Sequence, residues 1–198
     1  MTAGRNRSFD KESALEQAML IFWKNGYPGT SLSDLTNAMG INKSSLYSTF
    51  GNKEKLFIQA VDLYSNKYGL VHADELFKME KKLPERIRNY LLSIAQMITR
   101  FDLPTGCLIC NSTSEIAGNC LPDNAIKNIS AMNQKTTISL TTFFEKEQYE
   151  GNLNGRYSAK TLANYLLTLQ FGLAISARNG TDIEELKEVI NFSIGQFL

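Results

Sequence analysis

Apolar side chains recur along the chain at helical spacing. Ala14, Ala18, Ile21 and Phe22 share one face, widened by Leu15 and Met19. Asp10 stands before them as an N-cap and Gly26 after them as a stop, which predicts a first helix over about residues 11–25. Ser31 and Asp34 have the spacing of a capping box, with Asp in place of the usual Glu or Gln. Leu32, Leu35 and Met39 then make the apolar face of a second helix, which Gly40 ends after about two turns. Asn42 caps a third short helix with Leu46, Tyr47 and Phe50, closed by Gly51. Asn52 caps a fourth helix, which reaches about residue 68.

Five further helices follow. One covers about residues 85–100, with Ile87, Leu91, Ile94, Ala95 and Ile98 as its stripe and Pro84 fitting its first turn. The next runs from near Gly106 to near Gly118. Pro122 opens a glycine-free segment to about Tyr149. Thr137–Thr141 alternates like a strand within it, but Ile126, Ile129, Asn133, Leu140 and Phe144 keep a helical frame throughout, so the segment is assigned as helix. The last two helices are expected over about residues 158–178 and 182–197. His72 falls in a linker-like polar stretch between the fourth and fifth helices. The fold class is therefore all-α, about nine helices in total, with a small three-helix unit over 1–52 and a larger helical domain over 53–198 that helix four (about 53–68) connects to it.

Charge adds little to this picture. The net charge is +1, and the first 56 residues carry seven basic against five acidic residues. A nucleic-acid partner must be argued from where charges sit. Met1–Ser8 is polar with Arg5 and Arg7, no apolar signal-peptide core follows, and the apolar run Tyr165–Ala177 is short for a membrane span. The expectation is a cytoplasmic chain with no membrane association and with free thiols at Cys107, Cys110 and Cys120. Arg5 and Arg7 could reach DNA as a loose arm, though a solvated tail is the simpler reading.

The informative feature is the pair of short helices either side of Gly40-Ile41-Asn42. That is the layout of a helix-turn-helix, whose second helix enters the major groove. Leu35, Ile41 and Leu46 are placed to hold both helices against the first. Lys43, Ser44, Ser45, Ser48 and Thr49 make a mostly small polar surface on the third helix, suited to close approach to DNA and to reading bases. Ser31 and Ser33 begin the second helix, close to the backbone.

Four segments together resemble the DNA-binding domain of the TetR family of bacterial regulators: Gly26-Tyr27, Thr30–Leu35, Gly40–Tyr47 and Phe50–Phe57. The upstream segment Ala14–Asn25 fits the family's first helix. Thr36 and Asn42 depart from the residues usual there, as small polar exchanges. The resemblance implies that Tyr47 and Lys53 grip phosphate, and that the larger domain binds a small-molecule effector and dimerises. Lys53 also lies in the first turn of helix four, where backbone N–H groups favour an anion and a cation is locally unfavourable.

One small helix-turn-helix reads few base pairs, so a homodimer on a two-fold double-stranded operator is expected. The predicted interface is a stripe of Leu162, Leu166, Leu169 and Leu173 facing Ile183, Leu186, Ile190 and Phe197. Candidate pocket residues are Tyr90, Met97, Phe101, Cys107, Asn111, Ser114, Phe143, Phe144 and Gln170. Cys107 and Cys110 sit at a helix start, where thiols can be activated, so oxidant or electrophile sensing stays open beside the plainer reading of two small buried residues. Neither a metal nor a cofactor is expected, because only Cys120 and His72 could complete a zinc site and their spacing fits none. An enzyme is not expected, since no nucleophile–base pair or phosphate loop is visible. A DNA-binding protein controlled by a partner protein rather than an effector also stays open.

Overall fold

The computed structural model describes residues 9–153 and 155–195. Nine α-helices and no strand occur among them. α1 (Lys11–Asn25), α2 (Leu32–Met39) and α3 (Lys43–Phe50) form the N-terminal unit, and α4 (Lys53–Tyr64) packs back onto α1. The caps read from the sequence all form. Asp10 accepts from Glu12 N–H, Asn42 from Ser45 N–H and Asn52 from Lys55 N–H. Ser31 and Asp34 complete a reciprocal capping box. Each cap contributes about 1 kcal/mol to its helix. Gly40 ends α2 in the left-handed region, with φ 66°.

Rings hold this unit together. Phe22, Trp23, Phe57 and Tyr64 are fully buried. Phe22 meets Phe57 edge-on at 5.0 Å, and Trp23 meets Tyr64 at 4.7 Å. Helix four does not stay α-helical to residue 68. It ends at Tyr64 and continues as a π turn, Ser65–Gly69, that brings Tyr68 within 5.4 Å of the Trp23 ring. The expected linker around His72 is a 3-10 segment, Val71–Phe77. His72 is buried there, with Nδ1 2.6 Å from Ser93 Oγ.

The larger part comprises α5 (Leu83–Ile98), α6 (Leu108–Ala117), α7 (Asp123–Tyr149), α8 (Ala159–Arg178) and α9 (Ile183–Ile194). α7 packs along α8, and α5 lies against α8, α9 and the 3-10 segment. The threonines of α7 are accommodated in the helix, where Thr137 and Thr141 donate their hydroxyls to carbonyls one turn back, at 2.9 and 2.8 Å. A buried ion pair joins α5 to α7. Arg86 and Glu147, with side chains 2% and 1% exposed, meet through two hydrogen bonds of 2.9 and 2.6 Å. Arg86 also donates to Leu76 O, and Asn152 to Glu147. No described helix is long and apolar enough to cross a membrane.

The stripe expected to form the dimer interface is mostly core of this same chain. Leu162, Leu166, Leu173, Leu186 and Ile190 are buried within it, while Leu169 and Ile183 are half-buried. Phe197 lies outside the described residues, as do Arg5 and Arg7. The outward faces of the last two helices carry Thr168, Gly172 and Ile175 on α8 and Val189 and Phe192 on α9. Phe192 is 82% exposed.

Candidate nucleic-acid interface

α3 is anchored by Leu46 and Phe50, both buried, and closed by Gly51, whose N–H donates to Tyr47 O. This fixes what the helix presents. Lys43, Ser44, Tyr47 and Ser48 face solvent, with Tyr47 45% exposed. Ser45 and Thr49 are half-buried at the edge of that face, so the polar surface is narrower than the residue types alone suggest. Ser48 Oγ donates to Ser45 O at 3.1 Å, leaving its lone pairs outward. On α2, Ser33 is exposed. Ser31 Oγ accepts from Asp34 N–H at 3.1 Å. The hydrogen bonds from Ser31 hold the Asp34 carboxyl below its usual range.

Lys53 is not a free surface cation. It is half-buried, and its ammonium donates to Tyr27 O at 2.7 Å and lies 4.1 Å from the centre of the Tyr27 ring. Burial lowers its pKa, partly offset by attraction to Glu115. Tyr27 is held from the other side, where its N–H donates to both Glu115 carboxylate oxygens, at 3.2 and 3.3 Å. Glu115 belongs to α6, so this contact joins the two parts of the molecule. More contacts cross the same seam. Trp23 Nε1 donates to Gly106 O at 3.2 Å. The Arg178 guanidinium, from the end of α8, donates to Trp23 O at 3.2 Å and Lys24 O at 2.9 Å, satisfying carbonyls at the end of α1. At the start of α7, Asn124 N–H donates to Glu54 at 3.2 Å.

The N-terminal geometry coincides with a match to a family model described as bacterial regulatory proteins of the tetR family, over residues 14–60. Similarity to known proteins extends much further. The HTH-type transcriptional repressor ComR of Escherichia coli is 34% identical over 94% of this chain and 88% of its own length. The chain belongs to the TetR family of bacterial transcriptional regulators. The Bacillus subtilis regulator YezE is 28% identical over 96% of this chain and 97% of its own. Among solved structures, a cysteine-substituted CifR complexed with 26-bp double-strand operator DNA superposes with a TM-score of 0.85. It is 28% identical and covers 98% of this chain and 100% of that one.

In this TetR-family chain the candidate pocket residues do not converge on one place. Phe101 is fully exposed and lines an open cleft of about 650 Å³ at the seam, beside Leu20, Lys24 and Arg178. Ser114 is exposed and bonds back to Cys110 O. Phe143 and Phe144 are buried against each other at 5.1 Å, and Phe143 also packs edge-on to Phe77 and lies beneath the Arg86 guanidinium, so they serve the core. Met97 is buried as well. The remaining candidates do meet polar neighbours. Gln170 of α8 donates to the Tyr90 hydroxyl of α5, and burial pushes the Tyr90 hydroxyl up to about 12. Cys107 lies beside Tyr64 of α4, one turn before Asn111. The Asn111 Nδ2 is buried without a hydrogen-bond partner, and the Tyr64 hydroxyl is buried against the Cys107 thiol. Residue type alone did not single out Tyr64, which has the spacing of an ordinary core aromatic. The two thiols are not activated by the helix start. Burial pushes Cys107 up, and pushes Cys110 up to about 12.

Proposed function

We propose that this chain is a homodimeric transcriptional repressor that binds a palindromic operator and is released by a small molecule. The observation that carries the DNA reading is α3. Two buried anchors, Leu46 and Phe50, hold a helix whose outward face is Lys43, Ser44, Tyr47 and Ser48. Such a face can approach base edges closely, with Lys43 donating to guanine and the serines reading through water. Ser31, Ser33, Tyr47 and Lys53 are assigned to phosphate, and Ser45 and Thr49 to the margin of the reading face. The repressors ComR and BdcR among its relatives, and the operator complex of CifR, support the reading as a DNA-binding repressor.

The dimer is assigned to the outward stripe of α8 and α9, from Thr168 through Gly172 and Ile175 to Val189 and Phe192. A largely exposed phenylalanine beside isoleucine, valine and glycine at helical spacing is what a partner helix pair covers. The effector is assigned to the region of Tyr64, Cys107 and Asn111, where the Asn111 Nδ2 is buried and unmet. A ligand that pairs with them in only one of two conformers shifts the chain toward that conformer.

Selection of duplexes from random DNA tests the reading. It should return a two-fold sequence. Lys53→Ala should weaken binding to all sequences and lower the salt slope by about one. Phe192→Glu should give a monomer by sedimentation and weaken operator binding. Recovery of no two-fold sequence, or a Phe192→Glu protein that remains a dimer, refutes the corresponding part.

A further inference from the structure

Glu115 is the one charged side chain on α6, whose sequence from Leu108 to Ala117 is otherwise uncharged. It is spent outside its own helix, on the N–H of Tyr27. The chain makes room for it. A Cβ built on Gly26 would lie 2.0 Å from Glu115 Oε1, so the carboxylate occupies the space that any other residue at 26 would fill. Burial raises the Glu115 acid, while Tyr27 N–H, Arg178 and Lys53 act to lower it. A carboxylate half out of water with these partners is built for a fixed position.

What Glu115 fixes is the residue that holds Lys53. The Tyr27 carbonyl accepts from the Lys53 ammonium, and the Tyr27 ring lies against it. One of three N–H donors is thereby used, and two are left for a phosphate. A lysine already held in place has less side-chain freedom to lose when it binds.

We propose that Glu115 is a positioning residue for operator binding, acting from α6 through the Tyr27 backbone to set the place of the Lys53 ammonium. The inference rests on the phosphate contact assigned to Lys53 above. It also gives the larger domain a direct hold on a DNA contact, since Glu115 of α6 bonds the Tyr27 main chain directly.

The test uses the full chain and a duplex that the wild-type protein selects from random DNA, with affinity measured across salt concentrations. Glu115→Ala should weaken binding on the order of tenfold, the scale of immobilising one flexible side chain. It should also lower the salt slope by about one, as Lys53→Ala does. Glu115→Gln keeps an acceptor for Tyr27 N–H and should restore most of the slope. The Glu115→Ala/Lys53→Ala pair should bind no more weakly than Lys53→Ala alone. Glu115→Met, which fills the space without an acceptor, replaces the alanine variant if thermal unfolding shows that variant to be unfolded. A wild-type slope in the alanine or methionine variant, or additive losses in the pair, overturns the proposal. If Lys53→Ala itself leaves the slope unchanged, the phosphate assignment fails and this inference with it. A lowered slope for Lys53→Ala beside an unchanged one for Glu115→Ala overturns only the role of Glu115.

Discussion

Gly26→Ala is the most exacting perturbation of the seam between the two parts, because two separate costs meet at one atom. Gly26 has φ 74° and ψ 174°, a combination open in practice only to glycine. Holding alanine there costs about 1–3 kcal/mol in backbone strain. The added Cβ would also sit 2.0 Å from Glu115 Oε1, well inside contact distance. The carboxylate must leave, and Tyr27 N–H then loses an acceptor with which it makes contacts of 3.2 and 3.3 Å. Losing a hydrogen bond to a charged group costs about 1.5–3 kcal/mol. The expected total is about 2.5–6 kcal/mol, a large share of the roughly 5–15 kcal/mol by which a domain is stable. Urea unfolding of the wild type and the variant measures it. The same substitution made on a Glu115→Ala background separates the terms. Clash and hydrogen bond are then already gone, and only the strain of about 1–3 kcal/mol remains. A Gly26→Ala cost below about 1 kcal/mol, or an equal cost on both backgrounds, would refute this account of the seam.

Three further outcomes are expected. Glu147→Ala strands a buried guanidinium at Arg86 and should cost about 3–5 kcal/mol in urea unfolding, much of it recovered when Arg86→Met is added. Alkylation of the native protein followed by mass spectrometry should label Cys120, which is exposed, before Cys107 or Cys110, whose thiols burial holds in the protonated form. Burial lowers the His72 pKa below its ordinary 6.5, so the unfolded chain takes up this proton more readily than the folded one. The stability His72 contributes is present above about pH 6.5 and falls away as pH drops through the lowered folded value, and His72→Gln should flatten that part of the stability–pH profile.

The helix-turn-helix was legible in the sequence because its determinants are local. Ser31, Asn42 and Asn52 each cap a helix by bonding a backbone N–H three residues on, and Gly40 and Gly51 stop helices by their own backbone freedom. None of that needs knowledge of distant residues. The stripe Leu162, Leu166 and Leu173 was equally visible as apolar, but periodicity states only that a face is covered. It does not say whether the cover is this chain or another, and here it is this chain. The same limit applies to Phe143 and Phe144, since core and pocket walls draw on the same aromatic side chains. Phe101, expected on a pocket wall, stands in solvent on the wall of the open cleft beside the seam, apart from the other candidates. Glu115 and Arg178 were missed because their partners lie 88 and up to 155 residues away. The one available signal was that α6 carries a single charge with no helical partner to receive it.

The seam is addressed largely to main-chain atoms. Glu115 takes the N–H of Tyr27, Arg178 takes the carbonyls of Trp23 and Lys24, and Lys53 takes the carbonyl of Tyr27. Among these contacts only the Trp23 indole and the Tyr27 ring bring in a side chain of the α1 end, and both are anchored in the same aromatic cluster. The exposed residues of α3 make none of them. Lys43, Ser44, Tyr47 and Ser48 face outward while Leu46 and Phe50 alone hold the helix in the core. The face proposed to read bases and the contacts of the seam therefore draw on separate residues. Under the proposed function, changes at Ser44 or Ser48 should alter base preference in a selection from random DNA without touching the hydrogen bonds that tie the N-terminal unit to α6 and α8. Conversely, Glu115→Ala is expected to weaken binding to every DNA sequence by a similar factor, because Glu115 contacts the Tyr27 main chain and no residue of the α3 face.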